Sequence, residues 1–315
     1  ANRLIHDLRP DAITIAEDVS GMPGLAAPAR EGGCGFDYRL AMGVTDFWFR
    51  LLDTPDEEWS PGQIWRELTG KRADERALSY VECHDQAIVG GQTCMFRLVG
   101  DEMYTSMEKD SGSVVIDRGV ALHKLLRLAT ACSAGNGYLT FMGNEFGHPE
   151  WVDFPREGNE WSYHHARRLW SVADDRSLRF HFLRDFDAAL LALLSAHEVY
   201  SAQPRLLMLS EPNAVLVFER GGLIVFLNFH PDRSLPDLEI EVPPGRYRLL
   251  LDSDAHDYGG HGRMPLDQQV ASRSVLRDDM VSHVMRIYLP CRTGAVFERY
   301  TSDAGSGGDS RQLRP

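Results

Sequence analysis

The most constraining feature of this 315-residue sequence is an alternation of short apolar runs and helical patterns that continues to about residue 200. The apolar runs predict strands at residues 12–18, 36–42, 77–85 and 137–145. Helical patterns separate these runs, and the longest, at residues 117–135, carries its apolar side chains along one side. Strands that alternate with helices form a parallel sheet covered by helices, so we predict an α/β fold.

The chain changes character near Pro204. From there, strand patterns are separated by Gly-Gly, Pro-Pro-Gly and Asn/Asp turns, which predicts an antiparallel all-β domain of about 100 residues. We therefore divide the chain into an α/β domain at residues 1–202 and a β domain at 203–301. Residues 302–315 are rich in Gly and Ser and poor in apolar side chains, which predicts a disordered tail.

Charge and cysteine content exclude several classes of protein. The formal net charge is −13 and the basic residues are scattered, which argues against nucleic acid or an anionic membrane as the main partner. Five cysteines without a Cys-x-x-Cys pair indicate neither a disulfide framework nor a zinc site, and they favour a reducing compartment. The sequence contains no apolar run of 18 residues.

Three polar residues follow two of the predicted strands. Glu17 ends the first strand, and His84 with Asp85 ends the third, 68 positions later (85 − 17). A strand–helix unit takes about 31 residues when some 250 residues build eight such units, so roughly two units separate the acids. Both carboxyls should then face one pocket at the carboxyl end of the sheet. Two converging carboxyls beside a histidine are suited to acid/base work on a glycosidic bond.

Other interpretations of these polar residues remain open. Acids at strand ends often cap the following helix or pair with arginine, and Asp18 followed by Ser20 fits such a capping role. We expect His164 and His165 to form a solvated helix start rather than to ligate a metal. The aromatic side chains near Trp151 could cover the end of the sheet or stack on sugar faces.

Seven strings resemble one known family, the glycogen and starch branching enzymes of the α-amylase superfamily, particularly the eukaryotic type. They are TIAEDVSGMPG, GFDYRLAMG, CHDQAIVG, TFMGNEFGHPEW, DFPREGNEWSY, FERGGLIVFLNFHP and LDSDAHDYGGHGR. The resemblance covers nearly the whole chain apart from the tail. It implies the C-terminal half of a (β/α)₈ TIM-type barrel, with strands 5 to 8 at residues 1–202, followed by a C-terminal β-sandwich.

The same resemblance implies roles for individual residues. Glu17 matches the general acid/base, and Asp85 matches the acid that stabilises the transition state. The substrate-binding positions are His84, Gln86, Asn144 and Trp151. The reaction is a double displacement that cuts an α-1,4 glucan chain with retention and transfers it to a glucose 6-hydroxyl. It uses no metal and no organic cofactor.

One departure from the family concerns the nucleophile. The family carries it as an Asp in an Arg-x-Asp-Gly motif on the preceding strand, and this sequence contains no such motif. We therefore expect a fragment that is aggregated or molten and inactive alone, with the N-terminal half of the barrel missing. The expected partner is an α-glucan such as amylose, amylopectin or glycogen, in the cytoplasm or plastid stroma. Two alternatives are a non-catalytic glucan-binding or scaffolding protein and an α-amylase-like hydrolase.

Overall fold

The computed structural model describes residues 1–88, 91–277 and 279–300 of the chain. The predicted tail at residues 302–315 lies outside the described residues. The helices are α1 Asn2–Leu8, α2 Met42–Leu52, α3 Pro61–Thr69, α4 His84–Ala87, α5 Cys94–Val99, α6 Glu102–Thr105, α7 Val114–Ser133, α8 Trp170–Asp174 and α9 Phe180–Ala196. The strands are β1 Ile15–Ala16, β2 Tyr38–Leu40, β3 Ala77–Leu78, β4 Arg205–Ser210, β5 Val215–Arg220, β6 Leu223–Asn228, β7 Leu235–Glu241, β8 Arg246–Asp252, β9 Gln269–Ala271, β10 Arg273–Arg277, β11 Met280–Leu289 and β12 Thr293–Tyr300.

The first part of the chain forms a parallel sheet in the order β1-β2-β3, as predicted. A parallel bridge from Ser79 to Tyr138 adds a fourth position beyond β3. The predicted strand at residues 137–145 is otherwise wrong. Gly143 adopts a left-handed φ of 92°, which turns the chain into the short 3₁₀ helix Asn144–Phe146.

The predicted strand at residues 77–85 is also shorter than expected. Its ladder ends at Leu78, and the carbonyl oxygen of Tyr80 accepts a hydrogen bond from the Thr45 hydroxyl of α2 at 3.3 Å. The chain then turns into α4, so His84 and Asp85 begin a short helix instead of ending a strand. This turn still leaves both side chains just beyond the carboxyl end of the parallel sheet.

The second part of the chain consists of two antiparallel sheets. One sheet has the order β4-β5-β6-β12-β8-β9 and the other has the order β10-β11-β7. The hairpin between β5 and β6 is closed by Gly221 and Gly222, both at positive φ, as a two-residue turn requires. Apolar side chains fill the space between the sheets, among them Val217, Phe226, Met285, Ile287 and Phe297. These two packed sheets form the predicted β-sandwich.

The six-stranded sheet is buried on its other face as well. There, side chains such as Phe218 and Leu227 share one hydrophobic core with α2, α3, α7 and α9. Trp65 of α3 lies with its ring centroid 5.5 Å from that of Phe218. Because both parts of the chain contribute to this core, the domain boundary after residue 202 stays a prediction. Within the described residues, no helix is both long enough and apolar enough to cross a membrane.

Candidate active site

The structure brings together the three polar residues that the sequence places at the carboxyl end of the sheet. Glu17 directly follows β1, while His84 and Asp85 open α4. Nε2 of His84 lies 3.1 Å from Oε1 of Glu17 and 3.2 Å from Oδ1 of Asp85. The side chains are 39–47% exposed, so the cluster is open to a substrate. One imidazole nitrogen therefore links two carboxylates.

The start of α4 is held by a local hydrogen bond. Oε1 of Gln86 accepts from the backbone N–H of Cys83 at 2.9 Å, which occupies one of the amide atoms of this predicted substrate-binding residue. Cys83 is buried, and burial raises the pKa of its thiol, so it serves as a packed residue at the start of the helix. This capping arrangement fixes the backbone that carries His84 and Asp85.

Glu17 and Asp18 have different surroundings. Oδ2 of Asp18 accepts a hydrogen bond from the Ser20 hydroxyl at 2.5 Å, and Ser20 in turn accepts from the backbone N–H of Met22 at 3.2 Å. Asp18 therefore shapes the turn after β1 and does not cap a helix, since the next helical turn begins only at Ala29. Glu17 points the other way, towards His84.

Phe141 lies beside His84 and Arg168 lies against Phe141, and neither is among the predicted site residues. The ring of Phe141 lies 6.3 Å from the imidazole, and the guanidinium of Arg168 lies 5.5 Å from the Phe141 ring. Arg168 also donates from Nε to the carbonyl oxygen of Met142 at 2.9 Å. For Phe141, the sequence offers one indication, because an aromatic residue stands close after Tyr138, which occupies the fourth position of the sheet. Arg168 is far away in the sequence, and no local pattern marks it.

A buried acid lies just before the site. Glu82 is 2% exposed, and its Oε2 accepts from the backbone N–H of Cys94 at 2.7 Å. Its other oxygen has no hydrogen-bond partner among the described residues. Complete burial raises the pKa of the Glu82 carboxyl from 4.5 to about 7. Nothing in the sequence distinguishes this buried acid from its exposed neighbours.

The two remaining predicted substrate-binding residues lie on the segment after the parallel sheet. Asn144 is 1% exposed, and its amide oxygen and nitrogen have no hydrogen-bond partner among the described residues. Trp151 is 42% exposed and stacks on the ring of His165, with centroids 4.8 Å apart. The backbone of Val152 donates to the carbonyl oxygen of Ala87 at 2.7 Å, so the segment that carries Trp151 runs beside α4.

The fold defines the class of protein. A model of the α-amylase C-terminal all-beta domain matches residues 209–300. The α-amylase of Geobacillus thermoleovorans, solved with acarbose, superposes with a TM-score of 0.58 at 12% identity, covering 96% of this chain and 56% of that one. At this identity the likeness concerns the fold alone. The structure thus has the fold of an α-amylase, with part of a (β/α)₈ barrel followed by a β-sandwich.

Sequence comparison identifies the family within that class. A 1,4-alpha-glucan-branching enzyme of Yarrowia lipolytica is 46% identical over 317 residues, covering 95% of this chain and 45% of the relative. A chloroplastic/amyloplastic 1,4-alpha-glucan-branching enzyme of Oryza sativa subsp. japonica is 47% identical over 271 residues, covering 85% and 33%. The chain belongs to the 1,4-α-glucan-branching enzyme family. It spans less than half the length of either relative.

Proposed function

We propose that this chain supplies the acid/base half of a site that makes α-1,6 branches in an α-glucan. The observation that carries the proposal is the position of His84, whose Nε2 lies within 3.2 Å of both Glu17 and Asp85. Membership in the branching enzyme family supports the substrate class, which is amylose, amylopectin or glycogen. The proposed reaction cuts an α-1,4 bond and transfers the released chain to a glucose 6-hydroxyl with retention.

Each residue of the cluster has a proposed step. Glu17 donates its proton to the departing 4-oxygen when the α-1,4 bond breaks, and later takes the proton of the incoming 6-hydroxyl. Asp85 remains ionised and stabilises positive charge at the sugar carbon. His84 binds sugar hydroxyls, and its Nε2 lies between the two carboxylates. The half-exposed cluster gives a glucan chain access to all three groups.

The proposed substrate-binding set also includes Gln86, Asn144 and Trp151. Trp151 leaves much of its ring in solvent, where the face of a glucose unit can pack against it. The amide atoms of Asn144 are buried and unpaired among the described residues, so they have hydrogen-bonding capacity left for a water or hydroxyl that reaches them. Gln86 lies in the same short helix as Asp85 and positions it through the cap.

We further propose that the nucleophile comes from a strand beside β1 that these 315 residues do not supply. Among the described residues, β1 is an edge strand of the parallel sheet. Large apolar side chains around it are exposed, including Ile13 (66%) and Val19 (82%). An unpaired strand edge beside exposed apolar surface suits the addition of another strand. The chain alone is then inactive as a branching enzyme.

The test compares this chain alone with a co-expressed pair, defined as this chain plus the part of the Yarrowia lipolytica relative that it does not match. Amylose stained with iodine should lose its long-wavelength absorbance with the pair and keep it with the chain alone. Product analysis of the pair should show new α-1,6 linkages. Branching by the chain alone would refute the need for an outside nucleophile.

The alternatives give different results in the same test. New reducing ends without α-1,6 linkages would indicate an α-amylase-like hydrolase. Glucan binding by a well-folded pair that neither cuts nor branches would indicate a scaffolding protein. We propose a cytoplasmic or plastid location, and the chloroplastic/amyloplastic relative supports the second of these.

A further inference from the structure

A second cluster of polar side chains lies on the segment that follows Asn144–Phe146. Glu150, His164 and His165 each offer a ligand atom, and these three atoms all lie within 4.8 Å of one another. We propose that this cluster binds a divalent transition metal ion of the zinc class. None of the three residues belongs to the cluster around His84.

The two imidazole rings are held close to the carboxylate. Nδ1 of His165 lies 2.8 Å from Oε2 of Glu150, and the ring of His164 meets that of His165 edge-on at a centroid distance of 4.5 Å. Both histidines belong to the 3₁₀ helix His164–Ala166. The sequence suggested a solvated helix start here. His164 is exposed as expected, but His165 is half-buried.

The surrounding structure fixes the positions of the donor residues. The ring of His165 is stacked on Trp151 with an interplanar angle of 15°, and its carbonyl oxygen accepts from the backbone N–H of Asp153 at 3.0 Å. The carbonyl oxygen of Glu150 accepts from Nη1 of Arg168 at 2.8 Å. Arg168 thus anchors the backbone of Glu150, and the Glu150 carboxylate stays directed at His165.

His148 adds a second anchor to the backbone of Glu150. Its Nε2 accepts from the backbone N–H of Leu169 at 2.9 Å, and its Nδ1 lies 3.1 Å from both the backbone nitrogen of Glu150 and Nη1 of Arg168. Nδ1 also lies 2.8 Å from the carbonyl oxygen of Glu150. A Glu150 backbone held by Arg168 and His148 gives the metal site a preformed carboxylate position, which lowers the entropic cost of binding.

The donor set selects the class of metal. Two imidazoles and one carboxylate are the protein ligands of many three-ligand zinc sites, which keep a fourth position for water. Magnesium and calcium prefer oxygen donors alone. Tetrahedral zinc with bonds near 2.1 Å separates its ligand atoms by roughly 3.4 Å. The His165–Glu150 pair, 2.8 Å apart, needs to open by about 0.6 Å to reach that separation, and the exposed His164 ring needs to turn inward.

The test measures zinc affinity on the co-expressed pair by competition with a chromophoric zinc chelator. Glu17, His84 and Asp85 form a second possible ligand group, so every protein in the series carries His84→Ala. In that background, His164→Ala and His165→Ala should each weaken one zinc site by at least about tenfold. His256→Ala, which removes an exposed histidine of the β-sandwich, is the matched control and should leave zinc affinity unchanged.

Two further readings make the outcome decisive. Co²⁺ should give visible d–d absorption bands that disappear in the His164→Ala variant, whose exposed side chain can be removed without disturbing the fold. Mg²⁺ should not compete with zinc. Equal zinc stoichiometry and affinity in the parent and in a His164→Ala, His165→Ala double variant would overturn the proposal. Any zinc bound by the relative's part of the pair contributes equally to every measurement, because that part is identical in every protein compared.

Discussion

Glu82 shows how burial decides the protonation state of a single residue. Its carboxyl is removed from water, and its pKa rises to about 7 mainly for that reason. The unfolded chain has an ordinary carboxyl with a pKa near 4.5. Between these two values the folded state binds more protons than the unfolded state. The contribution of Glu82 to stability is therefore greatest at acidic pH and falls as the pH rises through this window.

Glu82→Gln should remove this pH dependence. Glutamine is neutral at every pH and its side-chain oxygen can still accept from the backbone N–H of Cys94. Between pH 4.5 and pH 7, the free energy of unfolding of the parent should fall by up to about 3 kcal/mol, and that of the variant should not show this fall. Thermal unfolding of the co-expressed pair at pH 5 and pH 8 measures the difference. Glu57→Gln, at an exposed acid, is the control and should follow the parent. Parallel curves for all three proteins would contradict the prediction.

Glu17 and Asp18 are adjacent in the sequence and have different proposed roles, so they form a natural pair of variants. Glu17→Gln should lower the branching rate of the co-expressed pair by about 10²- to 10⁴-fold, because it removes the group that transfers the proton. Asp18→Asn keeps an acceptor for the Ser20 hydroxyl and should leave the rate close to that of the parent. Amylose branching followed by iodine staining measures both rates. A rate for Glu17→Gln near the parent value would exclude the proposed acid/base role.

At the scale of elements, periodicity predicted the parallel arrangement and the later antiparallel sheets but not the lengths of the strands. Strand pairing depends on both partners. The run at residues 137–145 is apolar enough for a strand, yet a single bridge from Tyr138 to Ser79 forms before Gly143 turns the chain. The 68-residue spacing correctly predicted that Glu17 and Asp85 lie close together, because this spacing reflects the length of two strand–helix units. The contact between Phe141 and Arg168 could not be predicted from any local pattern.

Helix α7 shows a related limit of sequence interpretation. The pattern predicted one apolar side, but the helix is buried nearly all round, including the charged residues Lys124 and Arg127. Other helices cover part of its surface and the six-stranded sheet covers the rest. Nζ of Lys124 donates to the carbonyl oxygen of Tyr258 at 2.6 Å, and Arg127 pairs with Asp187. The partners that make these charges tolerable come from distant parts of the chain.

Alanine substitutions at two helical glycines should change stability in opposite directions. Gly119 lies where α7 packs on α5, and Gly43 lies in α2. A Cβ at Gly119 would lie 2.1 Å from Cγ1 of Val99, so Gly119→Ala should destabilise the fold by about 1–3 kcal/mol despite the higher helix propensity of alanine. Gly43 lies exposed in the first turn of α2 with no atom within 4 Å of its Cβ position. Gly43→Ala should stabilise by roughly 0.4–1 kcal/mol. Thermal unfolding midpoints of the co-expressed pair test both, and shifts of equal sign would contradict the argument.

At the scale of the whole molecule, Arg220 connects the β-sandwich to the helical layer. It ends β5 and is 1% exposed. Nη2 donates to the carbonyl oxygen of Gly135 at 2.7 Å, and Nη1 donates to those of Cys132 and Ala134, each at 3.3 Å. Carbonyl groups at the end of a helix lack intrahelical partners. One side chain of the sandwich therefore satisfies the end of the long buried helix α7.

Arg220→Met should loosen this connection. Methionine fills much of the same space but donates no hydrogen bond, and each buried carbonyl left without a donor costs about 1–3 kcal/mol. Arg248→Met is the matched control, because Arg248 is 55% exposed and pairs with Glu298 at the surface, where an ion pair contributes about 0–1 kcal/mol. Hydrogen exchange should speed up at the end of α7 in Arg220→Met and stay unchanged in Arg248→Met. Equal exchange in the two variants would mean that the shared apolar core, and not Arg220, holds the sandwich to the helices.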